Sequence, residues 1–187
     1  MARVSSAMKP LGMPMPSFSL PDTEGALFHS DHLSGKHALV IFMCNHCPFV
    51  IHLREGLALF SREMMRVGLS MIAISSNDAE AYPQDGPNEM KREREHAGYP
   101  FPYLYDADQS VARAFGATCT PDFFLFGESG RLVYRGQFDG SRPSNGVPVT
   151  GEDLRIACEG LLSGRGVPPS LKQRPSVGCS IKWREQT

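Results

Sequence analysis

The stretch Met43-Cys44-Asn45-His46-Cys47-Pro48 contains two cysteines separated by two residues, and it lies between two apolar segments of different periodicity. The preceding segment, ALVIFM at 38–43, is continuously apolar and predicts a buried strand. The following segment, 47–67, has apolar residues at three- and four-residue spacing and predicts an amphipathic helix. The sequence therefore predicts a dithiol at a strand-to-helix junction, with the two sulfurs one helical turn apart.

A thiol at such a junction faces the N-terminus of the helix, where unpaired N–H groups and the helix dipole stabilise negative charge. This position lowers the pKa of a thiol and makes it a nucleophile. We expect Cys44, at the exposed end, to be the low-pKa thiol that attacks a substrate disulfide, and Cys47 to resolve the mixed disulfide. Zinc sites use the same spacing, but the sequence has no second pair of this kind. Thiol exchange is therefore favoured over metal binding, and no cofactor is expected.

Three neighbours of the cysteines are candidate supporting residues. A protonated His46, between the two thiols, would stabilise the thiolate of Cys44 and make the dithiol more oxidising. The alternative for His46 is a solvent-exposed loop residue. Asn45 lies beside it, and Pro48 restricts the first turn of the helix without removing a needed hydrogen-bond donor.

Composition limits the classes of partner. The chain has 187 residues, a net charge of −1 and a pI near 6.6, which favour neither nucleic acid nor an anionic membrane surface. Residues 1–16 lack the apolar core of a signal peptide, and no segment is long enough to span a bilayer. We therefore expect a cytoplasmic protein. Its five cysteines are an odd number, more typical of catalytic or buried thiols than of a disulfide framework.

The remaining pattern predicts alternating strands and helices. A short hairpin is expected around the turn Pro21-Asp22-Thr23-Glu24-Gly25. The other predicted elements are a strand at 69–76, helices at 87–97, 109–116 and 151–162, and two strands at 123–127 and 131–136. This order predicts an α/β fold in which a mixed sheet is covered by helices on both faces.

The chain is predicted to have three segments. Residues 1–16 form a loosely ordered extension, 17–164 a single domain and 165–187 a tail. The tail cannot extend the last helix because it contains several prolines, yet it retains Ile181 and Trp183, which would be exposed on a free tail. We expect the tail to fold back onto the domain and to bury Trp183 at least in part.

Segments beyond the dithiol resemble those of a known family. These segments are MCNHCPFV, SSND, YPFPYLYD, CTPDFF and GCSIKW. They resemble the redoxin branch of thioredoxin-fold proteins, of the AhpC/TSA type, and more narrowly a peroxiredoxin-like subgroup with a CxxC motif. The resemblance implies a thioredoxin-like fold with an N-terminal β-hairpin, and a thiol–disulfide oxidoreductase with an antioxidant role in redox homeostasis. It also implies that Thr120-Pro121 has a cis peptide bond and faces the dithiol.

The peroxidase motif of this branch is not matched. Peroxiredoxins need Pro-x-x-x-Thr-x-x-Cys around the peroxide-reducing cysteine, where the Thr hydroxyl helps to bind peroxide. Counting back from Cys44, the Thr position holds Ile41 and the Pro position holds His37. Counting back from Cys47, the Thr position holds Cys44 and the Pro position holds Val40. Without that hydroxyl, the electrostatic stabilisation of the fast reaction is lost. A thiol peroxidase is therefore an alternative function, with weak activity expected.

One acid and three further cysteines have open roles. Asp78 follows the end of a predicted parallel strand and is a candidate proton relay, with loop capping as the alternative. Cys119 precedes Pro121 by two residues and is either an alternative disulfide partner or a packed bystander. Cys158 shares a helix face with apolar residues and is expected in the core. Cys179, in the tail, is either a third redox thiol or structural.

A metal carrier of the same fold is the alternative from another functional class. The thiolates of Cys44 and Cys47, together with His46 or His52, are suitable ligands for Cu(I). For the leading interpretation, the expected partners are protein or small-molecule disulfides and a thiol reductant. The sequence leaves the substrate, the direction of electron flow and the oligomeric state open.

Overall fold

A computed structural model describes residues 3–185 of the chain. Within this range there are ten strands: β1 (Arg3–Ser5), β2 (Ser19–Pro21), β3 (Leu27–His29), β4 (Ala38–Phe42), β5 (Ser70–Ser75), β6 (Tyr103–Tyr105), β7 (Cys119–Thr120), β8 (Asp122–Phe126), β9 (Leu132–Gly136) and β10 (Val177–Ser180). The α-helices of the same range are α1 (Pro48–Arg66), α2 (Pro87–Ala97), α3 (Ser110–Phe115) and α4 (Glu152–Leu162).

The main sheet has five strands in the order β6-β5-β4-β8-β9. Its central strand, β4, is parallel to β5 and antiparallel to β8. Every side chain of β4 is fully buried, as its continuously apolar sequence predicts. Because both faces of the sheet are covered, neither side of this strand faces solvent and the usual alternation of apolar and polar residues is absent.

Helices cover both faces of the sheet. On one face, residues of α1, α2 and α4 form a single apolar cluster with the strands, with Leu57 and Phe60 at its centre. On the other face, α3 and the β2–β3 hairpin form a second cluster, in which Phe115 packs edge-on against Phe42 and Phe124. The mixed α/β fold and the N-terminal hairpin expected from the sequence are confirmed. No helix in the described range is both long enough and apolar enough to cross a membrane.

Two predictions about strands are wrong. Residues 3–16 are not a loose extension, because β1 pairs antiparallel with β10 and Pro14 forms a bridge with Arg131. The edge of β10 offers unpaired backbone groups, and β1 satisfies them. Residues 1–2 of the predicted extension lie outside the described range. The second error is the omission of β6, which pairs with β5 but has only three residues and directly follows Pro102, so that it gives no strand signal.

The tail folds back onto the domain, as predicted. Its strand β10 lies between β1 and β7, with Cys179 opposite Thr120. Ile181 is buried and Trp183 is 37% exposed. The guanidinium carbon of Arg113 lies 4.5 Å from the centre of the indole ring. Docking of the tail and partial burial of Trp183 are both confirmed for the described part of the tail.

Gly178 allows β10 to approach β7 closely, which gives a test of the docked tail. A Cβ atom at Gly178 would lie 1.9 Å from the carbonyl oxygen of Thr120. We therefore expect Gly178→Ala to displace β10 and to lower the free energy of unfolding by about 1–3 kcal/mol, measured by urea unfolding. Gly140→Ala is the matched control, because a Cβ atom there meets no heavy atom within 4 Å. Equal stability of the two variants would contradict the close approach.

Candidate active site

The dithiol lies where β4 ends and α1 begins. Met43 still pairs with β5, through an N–H that donates to the carbonyl of Ile74 at 3.0 Å. Cys47 is the N-cap residue of α1, with Pro48 as the first helical residue. The carbonyl of Cys47 accepts the first N–H groups of the helix, as an N-cap residue does. The predicted strand-to-helix junction is confirmed, and both cysteines are free thiols.

Thr120 contacts both sulfurs of the dithiol. The peptide bond of Thr120-Pro121 is cis, as the resemblance implies. The hydroxyl oxygen of Thr120 lies 3.4 Å from Sγ of Cys44, and its carbonyl oxygen lies 3.1 Å from Sγ of Cys47. The prediction that this dipeptide is cis and faces the dithiol is therefore confirmed.

Both sulfurs are buried, which corrects the expectation of an exposed Cys44. Cys44 is 2% exposed and Cys47 is fully buried. The partly exposed residues of the motif are Asn45 and His46, and Pro48 is exposed. Thr120 and the loop after β5 cover Cys44, and sequence reasoning from the motif alone cannot predict this cover.

Asp85 is the main component of the site that the sequence analysis missed. It is completely buried, and its Oδ1 accepts hydrogen bonds from the backbone N–H groups of Asn45 at 2.9 Å and His46 at 3.3 Å. Its Oδ2 accepts a hydrogen bond from Nδ2 of Asn77 at 2.8 Å. The carboxylate therefore fixes the turn between the two cysteines. The sequence of the loop that contains Asp85 is polar and irregular. The only sequence signal for this residue was the position of an acid immediately before the Gly-Pro pair at which a helix starts.

Asn45 and His46 are held from the side opposite the sulfurs. Nδ2 of Asn45 donates to the carbonyl of Gln84 at 2.8 Å, and its Oδ1 accepts from the hydroxyl of Tyr103 at 3.1 Å. The ring of His46 stacks on Tyr82, with centroids 5.6 Å apart. These contacts hold both side chains in place beside the dithiol.

His46 and Asp85 form the charged neighbourhood of Cys44. Nδ1 of His46 lies 2.5 Å from Oδ2 of Asp85, so a protonated His46 forms an ion pair with this carboxylate. Sγ of Cys44, a ring nitrogen of His46 and a carboxylate oxygen of Asp85 all lie within 4.8 Å of one another. This is the set of residues that could hold a metal ion, and it differs from the set expected for Cu(I). His52 lies elsewhere, with Nε2 2.6 Å from the hydroxyl of Ser141.

The two thiols titrate as a coupled pair. Their mutual hydrogen bond raises the pKa of Cys44, as do its burial and the negative charge of Asp85. The same hydrogen bond lowers the pKa of Cys47 to about 5, with further hydrogen bonds from Thr120 and Cys179. Burial opposes a charge on Cys47 without reversing this order. The prediction that Cys44 has the lower pKa is wrong for the reduced site, because Cys47 is the N-cap residue and Asp85 lies beside Cys44.

The contacts of Asp78 match the loop-capping alternative. Its Oδ1 accepts the backbone N–H of Glu80 at 3.1 Å and lies 3.5 Å from Nε of Arg184 in the tail. Its own N–H donates to the carbonyl of Lys182 at 2.9 Å. Asp78 thus connects the loop after β5 to the docked tail, and the acid in contact with the dithiol motif is Asp85.

The three remaining cysteines are buried. Cys158 lies in the core, as predicted. Cys119 is fully buried, its Sγ lies 3.8 Å from the carbonyl of Pro121, and burial raises its pKa. These properties favour the interpretation that Cys119 is a packed bystander over the alternative that it is a disulfide partner. Cys179 is 4% exposed and belongs to the same apolar cluster as Cys44 and Cys47. The structure thus brings Cys179 to the dithiol.

A second buried acid follows the cis peptide bond. Asp122 is 1% exposed, and within residues 3–185 neither of its carboxylate oxygens has a hydrogen-bond partner. Burial raises its pKa well above the usual value, so its neutral form is favoured. In the sequence, Asp122 stands out only as part of the motif CTPDFF, which predicts no role for it.

Comparison with known proteins identifies similar chains. The redoxin family model matches residues 10–151. The chain is similar to an uncharacterized conserved protein from Geobacillus kaustophilus, with 49% identity, a TM-score of 0.96 and coverage of 100% of this chain and 99% of that chain. A hypothetical protein from Sinorhizobium meliloti 1021 has 47% identity, a TM-score of 0.94 and coverage of 97% and 99%. A thioredoxin-family thiol:disulfide interchange protein from Chlorobium tepidum TLS shares the fold at 21% identity, with a TM-score of 0.63 and coverage of 82% and 99%. No curated protein matches the chain.

Removing the charge of Asp85 tests the electrostatics of the site. We expect Asp85→Asn to lower the pKa of Cys44, because a nearby negative charge is gone, and ultraviolet absorbance of the thiolates against pH measures this. We also expect a loss of about 2–3 kcal/mol in the free energy of unfolding, because buried hydrogen bonds to a charged group are lost. The control is Asp78→Asn, which removes a partly exposed charge and should cost less than about 1 kcal/mol. An unchanged thiol titration in Asp85→Asn would contradict the assignment.

Proposed function

The chain belongs to the redoxin family, and on that premise we propose that it is a thiol–disulfide oxidoreductase whose reactive groups are Cys44 and Cys47. The observation that carries this proposal is the pair of free thiols held against Thr120-Pro121. Exchange requires a thiolate, a second thiol within reach of it and a surface for the partner. The first two requirements are supported by the coupled pKa values of the pair.

A depression lined by Pro121, the residue that follows Thr120, is the proposed surface for the substrate disulfide. Its lining includes Phe49 from α1, Pro121, and Phe138 and Arg142 from the segment after β9. This lining favours a disulfide flanked by apolar groups and a negative charge. Because Cys44 is only 2% exposed, we expect the partly exposed turn before α1 to shift when a substrate sulfur reaches it.

The proposed exchange transfers two electrons from the dithiol to the substrate. Cys44 attacks one sulfur of the substrate disulfide, its proton passes to the thiolate of Cys47 along their hydrogen bond, and the second substrate sulfur leaves as a thiolate. Cys47 then loses this proton to the released thiolate and attacks Sγ of Cys44. A Cys44–Cys47 disulfide forms, and the first substrate sulfur leaves. The raised pKa of Cys44 opposes its ionisation, and passing its proton to Cys47 during the attack avoids forming a free Cys44 thiolate first.

The neighbours of Cys44 support its role as the attacking thiol. The hydroxyl of Thr120 is placed to donate to Sγ of Cys44 when it carries negative charge. A protonated His46 offsets the negative charge of Asp85 and so favours negative charge on Sγ of Cys44.

The proposal also covers the reaction partners and the cellular compartment. Protein or small-molecule disulfides are the proposed electron acceptors, and a thiol reductant would restore the dithiol. The buried free thiols of Cys119 and Cys158 are supporting features, because unpaired thiols are typical of a reducing compartment. We therefore place the protein in the cytoplasm, with an antioxidant role in redox homeostasis.

A thiol peroxidase is the second candidate, and one contact favours it. The hydroxyl of Thr120, 3.4 Å from Sγ of Cys44, is a donor that the peroxidase motif places at a different position. The motif position itself, Ile41, is fully buried within β4 and has no polar atom to offer. A single hydroxyl supplies only part of the stabilisation that a peroxide oxygen needs.

A metal carrier receives less support from the site. Cys44, His46 and Asp85 supply suitable donor atoms. The oxygens of Asp85, however, already accept hydrogen bonds from the backbone of Asn45 and His46 and from Asn77. A metal ion would have to compete with these bonds, which hold the turn of the dithiol in place.

Reduction of a model disulfide tests the proposed function. We expect the wild-type protein, recycled by dithiothreitol, to reduce oxidised glutathione or insulin. Cys44→Ser and Cys47→Ser should each lower the rate by more than about 100-fold, because the two thiols act as one unit. In addition, Cys47→Ser should accumulate mixed disulfides at Cys44, detectable by mass spectrometry. Cys158→Ala is the control that should retain activity, and equal rates for all four proteins would refute the proposal.

Peroxide reduction is expected to be slow compared with disulfide exchange. Stopped-flow oxidation by hydrogen peroxide measures the rate at which the dithiol loses its thiols. The physical reason is the apolar side chain of Ile41 at the position where the peroxidase motif has a hydroxyl. The opposite result would be faster oxidation by hydrogen peroxide than by oxidised glutathione, with this fast reaction lost in Thr120→Val. That result would establish a thiol peroxidase in which Thr120 is the replacement donor.

A further inference from the structure

We propose that Cys179 is a third redox-active thiol of this site, which exchanges with Cys47 to form a second internal disulfide. This inference rests on the proposed thiol–disulfide function and deepens it. It assigns to the docked tail a chemical role beyond covering the domain. The step converts the outer Cys44–Cys47 disulfide into an inner Cys47–Cys179 disulfide.

Thr120 brings Cys179 and Cys47 together. Cys179 is the partner of Thr120 in the antiparallel β7–β10 pair. Sγ of Cys47 lies 3.1 Å from the carbonyl oxygen of the same Thr120. Cys179 and Cys47 are 4% and 0% exposed and belong to one cluster of buried residues. The two thiols thus meet in a site from which water is largely excluded.

The position of Cys179 is fixed from both sides. β10 is the middle strand of a small sheet, with β1 on one side and β7 on the other. The preceding residue, Gly178, lies so close to Thr120 that a Cβ atom would overlap its carbonyl oxygen. The following residues continue the contact, since the N–H of Ile181 donates to the carbonyl of Thr118 at 3.1 Å. A thiol held in this way reacts with its neighbour without a loop closing first.

The exchange balances without any added oxidant or reductant. Starting from the Cys44–Cys47 disulfide, the thiolate of Cys179 attacks Sγ of Cys47. The bond between Cys47 and Cys179 forms, the bond between Cys44 and Cys47 breaks, and Cys44 leaves as a thiolate that takes up the proton lost by Cys179. No net oxidation or reduction occurs. Cys44 is then a free thiol in a site that still stores the two oxidising equivalents.

The electrostatics of the site favour this exchange only after oxidation. In the reduced site, burial and the adjacent Cys47 raise the pKa of Cys179 to about 12. In the Cys44–Cys47 disulfide, Cys47 has no negative charge and no longer accepts the hydrogen bond that opposes ionisation of Cys179. The positive charge of Lys182, which favours the thiolate of Cys179, remains. Once released, Cys44 takes up a proton, because its burial and the negative charge of Asp85 raise its pKa.

A variant that lacks Cys44 provides the sharpest test. Cys44→Ser is treated with diamide, quenched in acid and alkylated, and its disulfides are mapped by mass spectrometry. We expect it to lose two thiols and to give a peptide cross-link between Cys47 and Cys179. Cys44→Ser with Cys158→Ala is the matched control that should give the same cross-link, whereas Cys44→Ser with Cys179→Ser should give none. A cross-link from Cys47 to Cys119, or no cross-link at all, would overturn the proposal.

A measurement on the unmodified protein keeps the test independent of folding defects. The wild-type protein is oxidised by oxidised glutathione and quenched at successive times. We expect the Cys44–Cys47 cross-link to form first and the Cys47–Cys179 cross-link to follow. As the second cross-link forms, Cys44 should become a free thiol that is alkylated again. A stable Cys44–Cys47 disulfide with Cys179 fully alkylated overturns this inference but leaves the proposed function intact. Absence of both disulfides overturns the two together.

Discussion

The contacts of Thr120 with both sulfurs are the constraint on which the rest of the site depends. Its hydroxyl meets Cys44, its carbonyl meets Cys47, and its backbone pairs with Cys179 in the tail. The antiparallel register of β4 and β8 in the core brings the end of β4 beside the start of β8. The buried sheet therefore determines where the three thiols meet, and the surface loops only complete the site.

The docked tail is connected to the dithiol by a chain of hydrogen bonds. The N–H of Lys182 donates to Oδ1 of Asn77 at 2.9 Å, and Nδ2 of Asn77 donates to Asp85 at 2.8 Å. Asp85 in turn accepts the N–H of His46 at 3.3 Å and raises the pKa of Cys44. Displacing the tail would loosen the residue that controls the charge of the dithiol. The tail thus contacts the candidate site in two ways, through Asn77 and through Cys179.

The sequence predicts those features that depend on local pattern or on the family resemblance, and it fails where distant segments meet. The apolar run of β4 and the periodicity of α1 are local signals, so the junction that carries the dithiol is predictable. Asp85 is not, because a buried carboxylate in a polar loop has no periodic signal and its partners are about forty residues away. The burial of Cys44 and its raised pKa depend on contacts with distant residues such as Thr120 and Asp85, so both were predicted wrongly. The strand β1 was missed for the same reason, because it exists only by pairing with the tail.

The central claim is that Cys44 and Cys47 form one reversible redox couple, and an equilibrium redox titration tests it most directly. The protein is equilibrated in buffers of reduced and oxidised glutathione, and the alkylated fraction of each cysteine is quantified by mass spectrometry. We predict a single two-electron transition within the range of about −270 to −120 mV known for such proteins, in which Cys47 loses alkylation completely and the second lost thiol is shared between Cys44 and Cys179, while Cys158 stays reduced. A protein in which Cys44 and Cys47 both remain fully alkylated at every potential would contradict it.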